Sequence, residues 1–525
     1  MPIRMVDDPN DQGYSGNDEG GGGGGNFPRG GGGGGLFNLL PLLLGLVRSK
    51  FGLAIIVIGA LLYFTVGQRG CNMLAPESNA LSTGGILDPA QFSKAQVYEA
   101  KVDDNVKNPL PEYVSLAKFA PPSQNQGKQG SCVAWSSAYT AQTIAISASR
   151  GTNPQETAFS PSYMYNQIGL QDCQGSYIIR AMELMQKQGG VPFDQFPYNE
   201  NNCSTNPTSD LNALAQRNRI EGYNRLTNSD DPNGINLRAI KEHLAKDAPV
   251  VIGMMVGGSF MEGMMGRKVW EPTPSDARML GFGGHAMCVV GYDDRLAGGA
   301  FQIMNSWGPE WGQNGLGWVR YADFKNYVRE AYGINAIPPQ GAALSQAFDC
   351  EIGLWESKGQ GSGNYLPVSG AGNLVTSRIK KGTLFKLEVK NNTPCYVYVF
   401  GRETDGSSYT LFPYPSTTNP TQTAYSPYCG ITGVRLFPRG KSMQPDGIGD
   451  KDYLAVVVSK TELPWYALNE AISKNRSSYS ASLATALSQY GVGKISVTTT
   501  GKGTMRFAAP AGATGVAYTV VEISK

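Results

Sequence analysis

The sequence predicts an α+β protein, with one mixed helical and stranded domain, a β-sandwich domain after it and a membrane anchor before it. Three observations predict this. Residues 51–67, FGLAIIVIGALLYFTVG, form an uncharged apolar run. Residues 121–337 mix helical and strand patterns, and after PPQG at 338–341 short alternating runs dominate. A chain of 525 residues is also too long for one ordinary core and suggests roughly two to four units.

The composition excludes two classes of protein. With 44 Lys and Arg against 42 Asp and Glu, the formal net charge is only +2, and no basic stripe gives nucleic acid binding an electrostatic basis. Eight cysteines are too few for a disulfide scaffold. The chain has only two histidines, His243 and His285, so any reaction that needs imidazole has two candidates. We expect no cofactor and no metal.

The N-terminal part of the chain predicts a disordered tail followed by a membrane anchor. Residues 1–35 are polar and then glycine-rich, and cannot bury a core. Residues 36–67 are hydrophobic. Their first stretch, 36–47, is short and carries Pro41, which favours an interfacial position, whereas 51–67 is long enough to cross a bilayer. A cleaved signal peptide and a buried helix are the alternatives. The late start and the QRGC that follows favour a retained anchor.

The charges that flank the anchor indicate its orientation. Arg48 and Lys50 precede the spanning stretch, and Arg69 follows it. This bias favours a tail in the cytoplasm and residues 68–525 outside. We therefore expect a membrane-anchored protein, with the membrane as a partner through the N-terminal helix and the folded part periplasmic or extracellular.

The first folded domain is expected over 110–337, after a linker at 68–109. Its first helix, in SCVAWSSAYTAQTIAISASRG, has Ser131 as a candidate N-cap and Gly151 as a stop signal. Two further helices are predicted in GSYIIRAMELMQKQGG, which ends at Gly189, and in INLRAIKEHLAKD. The segments HAMCVVGYDD and GAFQIMNSW predict strands of a buried sheet.

The sequence of residues 345–525 predicts the β-sandwich domain. The segment LFKLEVK alternates, with Phe385, Leu387 and Val389 on one face and Lys386, Glu388 and Lys390 on the other. The segments CYVYVF, YLAVVV, ISVTTT and GVAYTVVEI are further strand candidates, and a helical insertion is expected near 465–490.

Cys132, in NQGKQGSCVAWSS at 125–137, allows three interpretations: a small buried hydrophobe, half of a disulfide, or a nucleophile. Thiol catalysis needs a thiolate, a base and donors for an oxyanion. At the N-terminus of the predicted helix, Cys132 would feel the positive end of the helix dipole, which lowers the pKa of a thiol. The choice depends on partners elsewhere in the chain.

Two residues far along the chain could supply the base and the group that orients it. His285, in GFGGHAMCVVGY, begins a predicted strand after glycines that allow another segment to approach closely. His243 lies in the charged helix LRAIKEHLAKD, where a solvated role is the better interpretation. Asn305 stands two positions before Trp307, so its amide could hold an imidazole while the indole shields that bond from water.

Three motifs in this order resemble those of papain-like cysteine peptidases: NQGKQGSC at 125–132, GHA at 284–286 and NSWGPEWGQNGLGWV at 305–319. The resemblance covers residues 110–337 and implies a two-lobed domain, with one helical lobe and one β-barrel-like lobe. It also implies hydrolysis of peptide bonds in a protein or peptide substrate by a Cys-His-Asn thiolate mechanism.

The resemblance, carried over by position, implies a role for each residue of the site. Cys132 would be the nucleophile, and His285 the general base and acid. Asn305 would orient His285, with Trp307 packed over their contact. Gln126 would donate its side-chain amide to the oxyanion, together with the backbone N–H of Cys132.

The same resemblance implies substrate contacts and a disulfide. Gly175 and Ser176 fall where the family has two glycines that line the substrate backbone, with Ser176 as a departure, and Ala286 would edge the specificity pocket. Cys173 and Cys203 fall where the family pairs two cysteines. We expect this disulfide, which would agree with an extracytoplasmic domain.

Two departures from the family pattern lie beside Cys132. Gln129 stands where the family has a cysteine of another bridge, so that bridge is absent, and Val133 replaces the usual tryptophan. The family's long inhibitory prosegment, with its helical motif, has no match in the short stretch 68–120. We therefore expect control by location or by the C-terminal domain.

The C-terminal domain resembles an uncharacterised bacterial β-sandwich domain found attached to peptidases, through TPCYVYVFGRETDGSSYTLFPYP and GDKDYLAVVVSKTELPW. No histidine follows His285, and no acid pair stands out at metal or glycosidase spacing. A binding role towards a protein or glycan and a passive structural role both stay open. The fusion favours a bacterial protein.

The leading prediction is a membrane-anchored cysteine peptidase, a hydrolase. Two alternatives stay open. One is a non-catalytic scaffold or binding protein with a peptidase fold. The other is a thiol transpeptidase or amidase that acts on cell-wall peptides through the same residues.

Overall fold

The computed structural model describes residues 2–8, 81–228, 234–336, 347–359, 362–370, 373–416, 418–475 and 477–525. The predicted anchor at 36–67 and residues 9–35 of the predicted tail lie outside these ranges. Within them, no helix is both long enough and apolar enough to cross a membrane.

Part of the predicted disordered tail forms a strand, β1 (Ile3–Asp7). It pairs antiparallel with residues 441–445 of the C-terminal domain, with Ile3 opposite Pro445. Ile3 is buried in the core of that domain, and its N–H donates to the Tyr409 hydroxyl at 2.9 Å. The prediction of disorder is therefore wrong for residues 3–7. Their backbone hydrogen bonds come from a strand far along the chain, which their local composition could not reveal.

The helices of the first domain include a long central one, α2, which runs in three consecutive stretches, the middle one wound as a π-helix. Helices α2, α3 and α4 pack against one another. The helices are α1 (Pro89–Phe92), α2 (Cys132–Ala134, Trp135–Gln142 and Thr143–Arg150), α3 (Pro161–Ile168), α4 (Ile178–Lys187), α5 (Ser209–Ala215), α6 (Leu237–Leu244), α7 (Gly258–Met261) and α8 (Tyr321–Tyr327).

The bounds of α2 agree with its sequence signals. The helix begins directly after Ser131 and is buried from Cys132 to Ser147, which explains why its sequence shows no polar face. It ends at Gly151, whose φ of 67° is the left-handed conformation that glycine adopts without a steric penalty. The predicted start and stop of this helix are confirmed.

The sheet of the first domain has the strand order β3-β8-β4-β5-β6-β7, with β2 beside β5, and all its pairs are antiparallel. Strand β5 is buried over most of its length and also contacts α2. The strands are β2 (Tyr113–Ser115), β3 (Ile220–Arg225), β4 (Val250–Val256), β5 (Gly283–Asp293), β6 (Ala300–Met304), β7 (Leu316–Arg320) and β8 (Val328–Ala336).

The second domain contains two large sheets. One has the order β17-β13-β9-β21-β20 with β10 beside β9, and the other has the order β11-β12-β22-β19-β14-β15 with β16 beside β14. The strands are β9 (Phe348–Gly359), β10 (Ser362–Leu366), β11 (Val368–Ser369), β12 (Leu374–Thr376), β13 (Lys386–Asn391), β14 (Cys395–Arg402), β15 (Ser408–Phe412), β16 (Tyr428–Cys429), β17 (Gly433–Phe437), β18 (Lys441–Pro445), β19 (Lys451–Ser459), β20 (Ser496–Thr499), β21 (Met505–Ala509) and β22 (Val516–Ser524).

The two sheets face each other across one apolar core, as the alternating sequence predicted. Leu354 and Leu387 from the first sheet share this core with Val397 and Val456 from the second. Two helices, α9 (Trp465–Lys474) and α10 (Tyr479–Leu487), lie at the predicted insertion and cover the other face of the second sheet.

Two charged residues of β13, on the face opposite its apolar residues, are buried. Lys386 donates to the Pro438 carbonyl at 3.2 Å. Glu388 forms an ion pair with Lys107 and accepts a hydrogen bond from Tyr365. The alternation itself is correct, but a segment from outside the domain, which carries Lys107, lies over the charged face.

That segment belongs to the stretch predicted as a linker at 68–109. In its described part the chain forms α1 and then contacts both domains through residues 96–108, which we call the strap; it runs without helix or strand and ends in a turn closed by the Asn108 N–H to the Asp104 carbonyl. Val97 of the strap forms β-bridges with Arg225 of the first domain and Tyr425 of the second. The described part of this stretch therefore contacts both domains.

The strap also explains why His243 is buried, although the sequence favoured a solvated position for it. His243 is fully buried, its Nδ1 lies 2.8 Å from the Ala239 carbonyl, and its ring lies 4.6 Å from that of Tyr98 in the strap. Burial lowers the pKa of His243 to about 4. The prediction is wrong because the strap covers a helix face that looks exposed in the sequence.

Candidate active site

Cys132 is the first residue of α2, and its side chain is fully buried. Its thiol is not in a disulfide. The backbone N–H of Ala286 donates to Cys132 Sγ at 3.4 Å, which places the start of β5 against the sulfur. Ser131 does not cap the helix through its side chain, because its hydroxyl lies 2.7 Å from the hydroxyl of Tyr198.

The acidity of Cys132 differs from the sequence-based expectation. Burial raises the pKa of the thiol to about 12, although backbone N–H groups of Ala286, Val133 and Gly85 act in the opposite direction. The helix dipole had predicted a lowered pKa. That expectation fails in this structure because the thiol is buried. Taking a thiolate out of water costs more free energy than the nearby N–H groups and the helix dipole provide.

His285 and Asn305 lie on and next to neighbouring strands, β5 and β6. His285 Nε2 lies 2.8 Å from Asn305 Oδ1, and the backbone N–H of Ser306 donates to the same oxygen at 2.8 Å. The indole of Trp307 lies over the imidazole, with ring centroids 4.3 Å apart and planes at 21°. These three residues are thus brought together in the arrangement that the resemblance implied.

The bond to Asn305 assigns the tautomer of His285. A carbonyl oxygen can only accept, so Nε2 carries the proton of the neutral ring and Nδ1 keeps a lone pair. Nδ1 has no hydrogen-bond partner among the described residues. Burial lowers the pKa of His285 to about 4, with the bond to Asn305 acting in the opposite direction. At neutral pH the imidazole and the thiol are therefore both uncharged in this structure.

Gln126, the expected oxyanion donor, is held by Ser306 at two points. Its backbone N–H donates to the Ser306 carbonyl at 2.8 Å, and its Oε1 accepts from the Ser306 hydroxyl at 2.6 Å. Its Nε2 donates one hydrogen to the Gln129 carbonyl at 2.9 Å. Since an amide nitrogen carries two hydrogens, one remains for an oxyanion. The sequence did not identify this role of Ser306, because the two residues stand 180 positions apart.

Gly175 and Ser176 present their backbone to a neighbouring extended segment. The Ser176 N–H donates to the Gly84 carbonyl at 2.9 Å, and the Ser176 carbonyl accepts from the Ile86 N–H at 3.0 Å. Gly175 has a φ of 99°, and a β-carbon there would lie 2.3 Å from the Gly84 oxygen. The Ser176 hydroxyl donates to the Ile168 carbonyl at 2.9 Å, so the departure from glycine is accommodated by a bond to its own domain.

Cys173 and Cys203 form a disulfide, the pairing that the resemblance implied. Gln129 reaches the loop next to it, with its Nε2 3.3–3.4 Å from the carbonyl oxygens of Asn199, Glu200 and Asn202. Gln129, which stands where the family has a cysteine of another bridge, thus contacts the loop next to Cys203 through hydrogen bonds.

Residues 82–87, which we call the cleft segment, cross the site. The Gly85 N–H donates to the Gly284 carbonyl at 3.1 Å, next to His285 in the sequence. At the N-terminal end of the segment, Trp307 Nε1 donates to the Ser82 carbonyl at 2.7 Å. Together with the two bonds to Ser176, these contacts hold the backbone of the cleft segment over the nucleophile and the base.

Two glycines allow the cleft segment to come this close. A β-carbon on Gly84 would lie 2.2 Å from the Gly130 carbonyl oxygen, which is too short for any real contact. A β-carbon on Gly85 would lie 3.1 Å from the Ala286 nitrogen and from the His285 carbonyl carbon. The sequence STGG at 82–85 is thus required by the approach itself.

Leu87 of the cleft segment fills a side-chain pocket beside the site. Its Cδ2 lies 2.4 Å from the position of a β-carbon on Gly253, next to Ile178 and Glu330. Glu330 accepts hydrogen bonds from the Asp88 N–H at 3.0 Å and from a tyrosine hydroxyl, and burial raises its pKa to about 7. The cleft segment therefore occupies a side-chain pocket as well as the backbone site.

The arrangement contains the groups that acyl transfer to a thiol needs: a nucleophile, a base with a fixed tautomer, a residue that orients it, and oxyanion donors. Within the described ranges, no group of three or more His, Cys, Asp or Glu is placed to hold a metal ion.

Comparison with known proteins identifies relatives of the first domain. Residues 112–337 match the family model described as papain family cysteine protease. Cathepsin K of Mus musculus is 26% identical over 258 residues, which are 48% of this chain and 67% of the relative. Cathepsin B-like CP2 of Giardia intestinalis is 26% identical over 227 residues, 43% of this chain and 69% of the relative. The structure of xylellain, a cysteine protease from Xylella fastidiosa, is 23% identical and covers 50% of this chain and 99% of its own, with a TM-score of 0.41.

Residues 112–337 are therefore a papain-like cysteine peptidase domain. The chain that carries it is a cysteine-type peptidase, a hydrolase.

The first prediction concerns the charge of the nucleophile. In the full chain, we expect no thiolate from Cys132 between about pH 5 and pH 9, because a thiol with a pKa of about 12 stays protonated there and ionises only as the pH rises further. The measurement is the ultraviolet thiolate absorbance of the wild type minus that of Cys132→Ser, with Cys288→Ser as the buried-cysteine control. A thiolate band at neutral pH that Cys132→Ser removes would contradict it.

The second prediction concerns Ser306, which positions Gln126. We expect Ser306→Ala to lower kcat about tenfold with KM little changed, because an oxyanion donor acts in the transition state. The measurement is steady-state peptide hydrolysis in a Gly84→Ala background, since a β-carbon at Gly84 would displace the cleft segment. Ser306→Thr should restore kcat because it keeps the hydroxyl. An equal loss in both variants would mean that the Ser306 hydroxyl is not what holds Gln126.

Proposed function

We propose that this chain is a membrane-anchored cysteine peptidase whose folded part lies outside the cytoplasm, and that it hydrolyses peptide bonds through Cys132, His285 and Asn305. One observation carries the mechanism. His285 gives its Nε2–H to Asn305, its Nδ1 has no hydrogen-bond partner among the described residues, and the N–H of the next residue, Ala286, donates to Cys132 Sγ at 3.4 Å.

The reaction begins when the cleft segment leaves and water and substrate enter. The Cys132 thiol then gives its proton to His285 Nδ1, and the thiolate attacks the carbonyl carbon of the peptide bond. The oxyanion receives hydrogen bonds from Gln126 Nε2 and from the Cys132 N–H, which lies in the first turn of α2 and is not needed by the helix.

The intermediate then breaks down in two steps. His285 gives its proton to the leaving nitrogen, the C–N bond breaks, and an amine departs while the acyl group stays on the sulfur as a thioester. His285 Nδ1 next takes a proton from water, and the hydroxide attacks the thioester carbon. The C–S bond breaks, a carboxylic acid leaves, and the Cys132 sulfur regains the proton.

The disulfide supports a location outside the cytoplasm. Disulfides persist in oxidising compartments and are rare in a reducing cytosol, and Cys173 is joined to Cys203. Strand β1 adds a constraint on the anchor. Because residues 3–7 pair with residues 441–445, we place these residues on the same side of the membrane as the C-terminal domain, and not in the cytoplasm as the flanking charges favoured.

The third prediction tests the activity. In the full chain, Gly84→Ala should hydrolyse a peptide library at least about tenfold faster than the wild type, because it opens the cleft without changing a catalytic group. Adding Cys132→Ala should reduce that rate by about a thousandfold or more. Product masses report the cleavage. Gly501→Ala is the matched control, because a β-carbon there meets no atom within 4 Å.

The products separate the proposed peptidase from its alternatives. If iodoacetamide labels Cys132 in Gly84→Ala but the library stays intact, peptide hydrolysis is contradicted and a scaffold or binding protein is favoured. Joined peptides would instead indicate a transpeptidase, and loss of side-chain or terminal amides alone would indicate an amidase.

The fourth prediction tests the topology. Epitopes placed before Pro2 and after Lys525 should both be accessible from the outer side of the cytoplasmic membrane in intact spheroplasts, because β1 pairs with the C-terminal domain. A cytoplasmic marker protein that stays inaccessible is the control. An N-terminal epitope that reacts only after permeabilisation, with the C-terminal epitope already accessible, would contradict the pairing of β1 within one chain.

A further inference from the structure

We propose that the C-terminal sandwich domain is an intramolecular clamp: it grips the strap, residues 96–108, and thereby keeps the cleft segment, residues 82–87, in the active site. Opening of the peptidase then requires release of the strap from the sandwich. This proposal rests on the proposed function, because it assigns the regulation of the same site.

The strap joins the sandwich by backbone hydrogen bonds. The Val97 N–H donates to the Ala424 carbonyl at 2.6 Å, and the Ser426 N–H donates back to the Val97 carbonyl at 3.1 Å. Further along, the Val102 N–H donates to the Val434 carbonyl at 2.9 Å. The second domain therefore binds the strap as it would bind an added edge strand.

A buried arginine of the sandwich fixes the middle of the strap. Arg435 is fully buried, its Nε donates to the Glu99 carbonyl at 2.9 Å, and its Nη2 lies 3.2 Å from the Tyr98 hydroxyl. Its Nη1 donates to Asn391 Oδ1 of the sandwich at 2.7 Å. A buried guanidinium that lost these strap partners would be left with unsatisfied donors, which makes release costly.

Asn108 closes the far end of the strap. Its Nδ2 lies 2.9 Å from the carbonyl oxygens of both Val102 and Val434, and its Oδ1 accepts from the Val434 N–H at 2.8 Å. One side chain thus ties the strap to itself and to strand β17 of the sandwich.

The opposite face of the strap rests on the peptidase domain. The Tyr98 N–H donates to the Arg225 carbonyl at 3.0 Å, and the Tyr98 hydroxyl donates to Glu242 at 3.2 Å. The Lys101 N–H donates to the same carboxylate at 3.3 Å. The strap therefore contacts both domains, and its contacts with the sandwich can be weakened separately from those with the peptidase domain.

The connection from the strap to the cleft segment is short and packed. Between them lies α1, capped by Asp88, whose side chain accepts from the Ala90 N–H. Phe92 of α1 is buried, with its ring 5.1 Å from that of Tyr332. A cleft segment next to a fixed strap has a high effective concentration at the site, so a few backbone bonds suffice to retain it.

The experiment uses the full chain and measures how fast iodoacetamide alkylates Cys132 at neutral pH, read by mass mapping. Asn108→Ala and Arg435→Met should each raise this rate about tenfold or more, because each leaves buried strap groups without partners. Arg506→Ala is the control. It removes a half-exposed ion pair with Asp349 in the same domain, and its rate should equal that of the wild type.

Hydrogen exchange of residues 96–108 shows whether the strap has loosened. Faster exchange there with unchanged alkylation of Cys132 would overturn the clamp, and so would slow exchange in both variants, because the named contacts would then not hold the strap. If Arg435→Met does not fold, Asn108→Ala carries the test alone. Faster alkylation without peptide hydrolysis would support the clamp and contradict the proposed peptidase activity, so the two proposals fail separately.

Discussion

The close approach of the Gly84–Gly85 backbone to the reactive groups is the constraint on which the rest of this structure depends. A side chain at Gly84 would collide with the facing backbone, and one at Gly85 would crowd it. The Gly85 backbone lies next to His285, and burial raises the pKa of Cys132 and lowers that of His285, so burial favours the neutral form of both groups. The proposed catalytic residues are in place, but their buried surroundings disfavour the charges of a thiolate and an imidazolium. The closed state is thus a matter of solvation rather than of geometry.

The unusual features of the second domain follow from the same constraint. A sandwich that only had to fold would leave the outer face of β13 in water, yet Lys386, Glu388 and Arg435 are all buried in this domain. Glu388 and Arg435 meet the strap, which continues from the cleft segment through α1. The charged residues that look misplaced in an isolated sandwich therefore belong to its contact with the other domain. Control by the C-terminal domain was one of two expectations from the sequence, and the strap supplies a physical route for it.

The sequence predicted which reactive groups form the site better than it predicted their pKa values. Cys132, His285 and Asn305 stand in motifs where local signals agree, since a helix start, a strand start and a strand end each place one side chain. The contribution of Ser306 could not be predicted, because its partner Gln126 is close only in the folded chain. The pKa of Cys132 was expected in the wrong direction, because a helix dipole can be inferred from sequence whereas burial by another segment cannot.

By itself, the sequence predicted which reactive groups come together, where the helix after Ser131 begins and ends, and that a β-rich region follows the mixed one. These are properties of local patterns: periodicity, caps and motifs. Only the tertiary structure decided that residues 81–109 are not a plain linker, that His243 is buried, and that residues 3–7 complete the sandwich. Each of these depends on a contact between distant segments, where the free energy of burial and backbone pairing exceeds any local preference.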